Sequence, residues 1–268
     1  PDSLTLDPDT TLLVWNAKEF APGGDITTGG GAGTTIDGTM ELFNNADLTL
    51  ENGQSHSFGG DLTLASGATF EPAESSIDFT SAGSGRSIDT NEAGFFDVTF
   101  SGSGTFTAND TALTVANDLT ISGADLTLPA ATTTIGGSLI TSAGSLGANN
   151  GLVDFTSVNT GETISVNGSS LADVRFSGTG AWSFTEANAT VTESVNIQDG
   201  AVTLPSGTLS VGGDFVTVGT VNANGGTLAL TSNTGPVILT LSNSDLNNLT
   251  LTGTATTTLT DAGAALLG

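Results

Sequence analysis

The chain repeats itself with a period of about 76 residues, and self-similarity at a fixed period of this size is typical of arrays and solenoids. Three segments carry the repeat: 95–104 (FFDVTFSGSG), 171–180 (LADVRFSGTG) and 246–253 (LNNLTLTG). Each repeat of such a fold buries its apolar face against its neighbours, and the product is usually a scaffold or binding surface.

The repeat predicts one continuous body rather than separate domains. Residues 1–18 lie outside the pattern and are expected to form an N-terminal cap or an interaction strand. The first repeat diverges from the others, as expected of a terminal repeat that covers an otherwise exposed end. The predicted divisions are a divergent first repeat at 19–94, a second at 95–170, a third at 171–245 and a partial fourth at 246–268.

Short strands are predicted throughout, because apolar residues alternate with Thr in triplets such as Leu62–Leu64 and Leu119–Ile121. Gly, Asn, Asp and Ser cluster between the triplets, where the chain must turn. The strong triplets recur at about 20 residues, which favours an all-β parallel β-helix, a β-solenoid built from about three of the long repeats. A sandwich or meander is the alternative, since Asn-Gly dipeptides that suit hairpins also occur, as at Asn52 and Asn150. No helix is expected.

Large apolar side chains recur at matching places in successive repeats and predict the core. Thirteen Phe and no Tyr suit a dry interior, where an unpaired phenol hydroxyl would be costly. The predicted core stack consists of residues at matching places in successive repeats: Phe100 and Phe176, Phe106 and Trp182, and Phe79 and Phe155.

The charge is strongly acidic and limits the partners. The chain has 28 acidic and three basic residues, for a formal net charge of −25. Nucleic acid is not expected as a partner, because its binding needs Lys and Arg to displace counterions. No apolar run is long enough to span a bilayer, so membrane insertion is not expected. The scarcity of tryptic sites and the abundance of Ser, Thr, Gly and Asn suit an extracellular or cell-surface location.

The sequence contains few residues suited to catalysis, and an enzyme is not expected. The single histidine, His56, lies between two serines beside a glycine pair, which predicts an exposed loop residue. A carbohydrate-active β-helix enzyme is the rival class; it would need convergent acids and aromatic residues, but Trp15 and Trp182 lie far apart in the sequence. No cofactor is expected. Asp and Asn at turns predict at most weak Ca²⁺ binding, because neither the EF-hand loop nor the Gly-Gly-x-Gly-x-Asp nonapeptide of calcium β-rolls is present.

The two ends suggest self-association. A solenoid end carries unpaired backbone groups and adheres to other strands unless it is capped. The expected assembly interface is the apolar segment Leu12, Leu13, Val14 and Trp15 near one end, with Leu266 and Leu267 near the other. A head-to-tail homo-oligomer propagates into a filament. The N-terminal segment could instead fold over the first turn of its own chain.

One sequence cadence resembles a known family. Asp-Val-x-Phe-Ser-Gly-x-Gly is followed by short Leu-Thr-Leu/Ile strands and then by Gly-Gly-Asp-Phe/Leu, over about 46–260. This order is similar to repeats in large bacterial surface proteins of the filamentous-haemagglutinin and adhesin type. The resemblance implies a non-catalytic extracellular protein, either a filament subunit or the stalk segment of an adhesin. A glycan or another cell-surface component is the partner class that it implies.

Overall fold

The computed structural model describes the backbone of strands at 3–6, 12–14, 19–20 and 25–28, and both backbone and side chains of residues 34–36, 38–42, 46–242 and 244–261. These residues form an all-β solenoid of about 11 turns, whose strands pair in parallel from one turn to the next. The predicted parallel β-helix is therefore confirmed, and the hairpin alternative is wrong for the described residues. The described part of the chain contains no helix able to cross a membrane.

The strands are two to six residues long and follow one another with short turns. In the first part of the chain they are β1 (Ser3–Leu6), β2 (Leu12–Val14), β3 (Glu19–Phe20), β4 (Asp25–Thr28), β5 (Thr34–Ile36), β6 (Thr39–Leu42), β7 (Asp47–Thr49), β8 (Ser55–Phe58), β9 (Leu62–Leu64), β10 (Thr69–Glu71), β11 (Ser76–Phe79), β12 (Arg86–Asp89), β13 (Asp97–Phe100), β14 (Thr105–Ala108), β15 (Ala112–Val115), β16 (Leu119–Ile121) and β17 (Asp125–Thr127).

The later strands continue in the same manner. They are β18 (Thr132–Ile135), β19 (Leu139–Thr141), β20 (Ser145–Gly147), β21 (Leu152–Phe155), β22 (Thr160–Ser165), β23 (Ser170–Leu171), β24 (Asp173–Phe176), β25 (Ala181–Phe184), β26 (Asn188–Val191), β27 (Val195–Ile197), β28 (Ala201–Thr203), β29 (Thr208–Val211), β30 (Phe215–Thr217), β31 (Thr220–Asn222), β32 (Thr227–Leu230), β33 (Val237–Thr240), β34 (Asn248–Leu251) and β35 (Thr257–Leu259).

The chain divides into two compact units. Unit 1 comprises 1–129 and 141–146, and unit 2 comprises 130–140 and 147–268. Apart from β15, the strands that lie wholly within unit 1 stack into three parallel sheets with the orders β1-β4-β7-β10, β2-β5-β8-β11-β13-β16 and β3-β6-β9-β12-β14-β17. Those of unit 2 stack in the orders β18-β21-β24-β27-β30-β33-β35, β19-β22-β25-β28-β31 and β23-β26-β29-β32-β34.

Alternating burial along each strand explains the Thr-rich triplets. In β9, Leu62 and Leu64 are buried and Thr63 is half-exposed. The same alternation occurs in β16, where Leu119 and Ile121 are buried on either side of Thr120. Successive side chains of a strand point to opposite faces, so each triplet places its apolar residues inside and its Thr outside. β-branched Thr suits this outer face.

Aromatic rings of neighbouring turns stack inside each unit. In unit 1 the rings of Phe79 and Phe100 lie 5.0 Å apart and nearly parallel. In unit 2 the rings of Phe155 and Phe176 are also 5.0 Å apart, and Trp182 packs 5.2 Å from Phe176. The two stacked pairs join adjacent turns, because the members of each pair are in register on paired strands. All six side chains of the predicted core stack are buried: Phe79, Phe100, Phe106, Phe155, Phe176 and Trp182.

Candidate assembly surface

The last described turn of unit 2 exposes two leucines that continue buried columns. Leu251 follows Val191, Val211 and Leu230 in register, and these three are buried. Leu251 itself is 56% exposed. Leu259 is also 56% exposed, and it follows the buried Leu239. Both leucines therefore occupy core positions that no later turn covers within the described residues.

The two strands that carry these leucines are also edges. β34 pairs with β32, and β35 pairs with β33; in the described part of the chain no strand lies on the other side of either. An edge strand presents unpaired N–H and C=O groups that can accept another strand. We call β34 and β35, with Leu251 and Leu259, the terminal edge. The sequence contains the apolar triplets, but nothing in it distinguishes a covered leucine from an exposed one.

The third sheet of unit 2 ends differently, under a loop. Residues 241, 242 and 244–247 lie beside β31, where the Ser244 hydroxyl accepts a hydrogen bond from the N–H of Val221 at 3.1 Å. Leu241 and Leu246 of this loop are buried. The loop and β31 line an open groove of about 450 Å³ whose side chains are mostly polar. Because the loop already takes up part of the β31 edge, the terminal edge is restricted to β34 and β35.

The N-terminal strands are the first members of the three sheets in unit 1. β1 pairs with β4, β2 with β5, and β3 with β6, all in parallel. Of the residues predicted for the assembly interface, Leu12, Leu13 and Val14 form β2, in register with Thr34–Ile36. Trp15, Leu266 and Leu267 lie outside the described residues. The described strands of the N-terminal segment are thus regular solenoid strands, with β1, β2 and β3 as edges.

A polar corner recurs once in each of the three long repeats. The side chains of Asp61, Ser138 and Asp214 each accept a backbone N–H from a following strand, at 2.9, 3.0 and 2.7 Å. The hydroxyls of Ser81, Ser157 and Ser232 each accept the N–H two residues further on, at 3.1, 3.1 and 3.4 Å. Side chains satisfy turn amides in the same way at all three places.

The residue at the equivalent position between these groups differs in charge among the three corners. Arg86 donates to Ser81 at 3.0 Å and lies 3.9 Å from Asp61. Glu162 instead accepts from both corner serines of its turn at 2.9 Å. Val237 begins the strand at the third corner. The same position of the corner therefore holds a positive, a negative or an apolar side chain. Acid–base chemistry requires one defined group at a position, so this variation favours a structural role for the corner.

His56 lies in the interior, so its prediction as an exposed loop residue is wrong. It belongs to β8 and is 2% exposed. His56 and the buried Phe58 are two residues apart and therefore face the same side of the strand. This alternation is visible in the sequence, but the flanking serines and the glycine pair favour a turn.

Carboxylates of unit 1 are engaged in holding a turn. Asp110 is buried and accepts hydrogen bonds from the N–H and hydroxyl of Thr90 and from the N–H of Glu92, at 2.7–3.1 Å. Burial raises the pKa of Asp89; the Asn91 N–H opposes this shift, while the nearby Asp110 and Glu92 add to it. Backbone and side-chain hydrogen bonds from Thr111 lower the pKa of Glu92. No group of three or more His, Cys, Asp or Glu in the described ranges is arranged to hold a metal ion.

Comparison with protein-family models, with curated proteins and with solved structures finds no match to this chain. The resemblance to filamentous-haemagglutinin and adhesin repeats therefore rests on the sequence cadence alone, and the structure adds to it the β-solenoid architecture.

Proposed function

We propose that this chain is an extracellular structural protein, the subunit of a surface filament in which solenoids stack end to end. The observation that carries the proposal is the terminal edge, where Leu251 and Leu259 continue buried columns yet are exposed. Covering them with a further parallel turn would remove apolar surface from water and pair the edge backbone. The first turn of a second copy offers three parallel edge strands, β1, β2 and β3. The contact would be heterologous and would propagate.

The test is fibre formation by the purified chain near neutral pH, followed by size-exclusion chromatography and negative-stain electron microscopy. The wild type is expected to form long uniform fibres. The double variant Leu251→Lys with Leu259→Lys is expected to remain monomeric, because two charges would be buried without partners at the contact. Deletion of residues 1–18, which removes β1 and β2, should also abolish the fibres.

A matched control is available in the same unit. Val158 is 74% exposed in a turn, and Thr190 is exposed on the outer face of β26; neither lies on the last strand of a sheet. The double variant Val158→Lys with Thr190→Lys changes the net charge equally and is expected to form fibres like the wild type. Loss of fibres in both double variants would indicate an effect of charge alone and would contradict the role of the terminal edge.

The stalk segment of an adhesin is the second candidate, and the same exposed leucines support it. In a stalk, the turn that covers Leu251 and Leu259 would belong to the same polypeptide. A chain that stays monomeric at every concentration tested would overturn the filament proposal. A version extended by further repeats of the same pattern, monomeric and with Leu251 protected from solvent, would then support the stalk. The partner would be sought by screening against glycans.

A further inference from the structure

The single histidine of the chain occupies an interior column of unit 1. His56 lies in β8 between β5 and β11, in register with Ile77. On the other side, the pairing of Thr35 with Ser57 places Thr34 opposite His56. All three residues of this column, Thr34, His56 and Ile77, are buried. A histidine is therefore inserted into a column whose next member is aliphatic.

The hydrogen bonding of the ring requires its neutral form. Nδ1 accepts the N–H of Thr34 at 3.1 Å, so this nitrogen carries no proton. Nε2 makes no hydrogen bond to any described residue. Protonation would place a second N–H against the Thr34 N–H and break that bond. It would also leave a buried positive charge.

Within the described residues, the strands packed around His56 direct no acidic side chain towards the ring. On β5, β8 and β11 the only carboxylate among the described residues is Asp78, which alternates with the buried Ile77 and Phe79. The other strands at this level, β6, β7, β9 and β10, direct apolar residues inwards, while their acidic residues Glu41, Asp47 and Glu71 alternate with these on the opposite face. The backbone carbonyl of Glu51 is the group whose effect favours the charged ring.

The pKa of His56 reflects this environment. Burial lowers it below the ordinary value of 6.5, and the Glu51 carbonyl opposes this effect to a smaller extent. When the native pKa is depressed, an open state binds the proton more readily than the native state does. The stability that the neutral His56 ring contributes is therefore fully present above the ordinary pKa. It is lost progressively as the pH falls below about 6.5, until the native ring itself becomes protonated.

We propose that His56 is an acid-sensitive switch, whose protonation separates β5 from β8 and opens the N-terminal turns of unit 1 while unit 2 stays closed. The geometry restricts the effect to these turns, because the hydrogen bond that protonation breaks is the one between Thr34 and His56. The switch does not depend on filament formation. It acts on the turns that carry the N-terminal edge strands and is a property of the single chain.

Two measurements on the wild-type chain test the switch. Because the chain has one histidine, the NMR signal of its ring Cε1–H reports His56 without assignment. The ring is expected to remain neutral in the native state at pH values where an exposed histidine is already charged. Hydrogen exchange, corrected for the intrinsic rate, should show protection at 34–36 and 55–58 falling by up to tenfold per pH unit below about 6.5. Protection at Val195–Ile197 in unit 2 should not change over this range.

The variant His56→Leu supplies the control, since it retains all 28 acidic residues. Its protection at 34–36 and 55–58 is expected to be independent of pH between 7.5 and about 5.5. The same fall in the variant as in the wild type would assign the effect to carboxylates and overturn the proposal. A wild-type ring that titrates at its ordinary pKa with unchanged protection would also overturn the proposal. This result comes from the wild-type chain alone, so it tests the proposal even if the variant does not fold.

Discussion

At the residue scale, the Ser-Gly-x-Gly motif is explained by the stacking of turns. A Cβ atom on the first glycine of the motif would overlap the backbone carbonyl of the turn beneath it. This holds for Gly102 over Ser81 and Gly178 over Ser157, and also for Gly253 over Ser232, where the segment reads Thr-Gly-Thr-Ala. The serines are those of the polar corners, so each glycine packs against the backbone of a corner serine in the preceding turn. The motif recurs because only glycine allows the backbones to approach so closely.

Replacing Gly178 by Ala is therefore expected to destabilise the chain by about 1–3 kcal/mol, the usual cost of overpacking a rigid site. The overlapping atom is a backbone oxygen, which cannot move aside as a flexible side chain would. Chemical denaturation followed by circular dichroism measures the change. The exposed neighbour Thr179 is the control, and Thr179→Ala should stay within about 0.5 kcal/mol of the wild type. Equal effects of the two substitutions would contradict this explanation.

At the element scale, a turn of unit 1 is held by a carboxylate from the following turn. Asn91 and Glu92 are consecutive residues with positive φ angles of 56° and 67°, a conformation that costs energy for residues other than glycine. Asp110 fixes this turn with hydrogen bonds from Thr90 and Glu92. Hydrogen bonds to a charged acceptor are stronger than those between neutral groups and can compensate for the backbone strain.

The substitution Asp110→Asn is expected to destabilise the chain by about 1–3 kcal/mol, because the amide NH₂ would face donors that now find two acceptor oxygens. Asp125 provides the comparison, since it is exposed and accepts one bond from the Ser145 hydroxyl at 2.7 Å. Asp125→Asn should cost less than about 0.5 kcal/mol. Denaturation of both variants in parallel measures the difference. A similar loss in both would show that the Asp110 network does not support the turn.

The elements also show what the sequence can predict. The alternation of triplets such as Leu62–Leu64 is local and directly specifies which face is buried, so the parallel solenoid is predictable. The inward position of His56 follows from the same alternation, although the flanking serines favour a loop. The exposure of Leu251 and Leu259 is not predictable, because it depends on which strand is last in a sheet. Local patterns do not contain that information.

At the scale of the whole molecule, the proposed assembly sets the repulsion between net charges against the attraction of the terminal edge. Any two copies repel, because each carries a net charge of −25. In the proposed filament, the terminal edge would attract a second copy through apolar contact and strand pairing, which act only at short range. Salt screens the repulsion: the Debye length falls from about 30 Å at 0.01 M to about 8 Å at 0.15 M ionic strength. The proposed apolar contact of Leu251 and Leu259 would not be weakened by this screening.

The filament proposal therefore predicts that the protein concentration needed for fibres falls as NaCl rises from about 10 to about 150 mM, by roughly tenfold or more if screening removes about 1.4 kcal/mol of repulsion. Light scattering across a dilution series measures this threshold at each salt concentration. The variant Leu251→Lys with Leu259→Lys should remain unassembled at all of them, which separates end-to-end stacking from unspecific salting out. A threshold that rises with salt would mean that ion pairs between copies, rather than the apolar terminal edge, hold the assembly together.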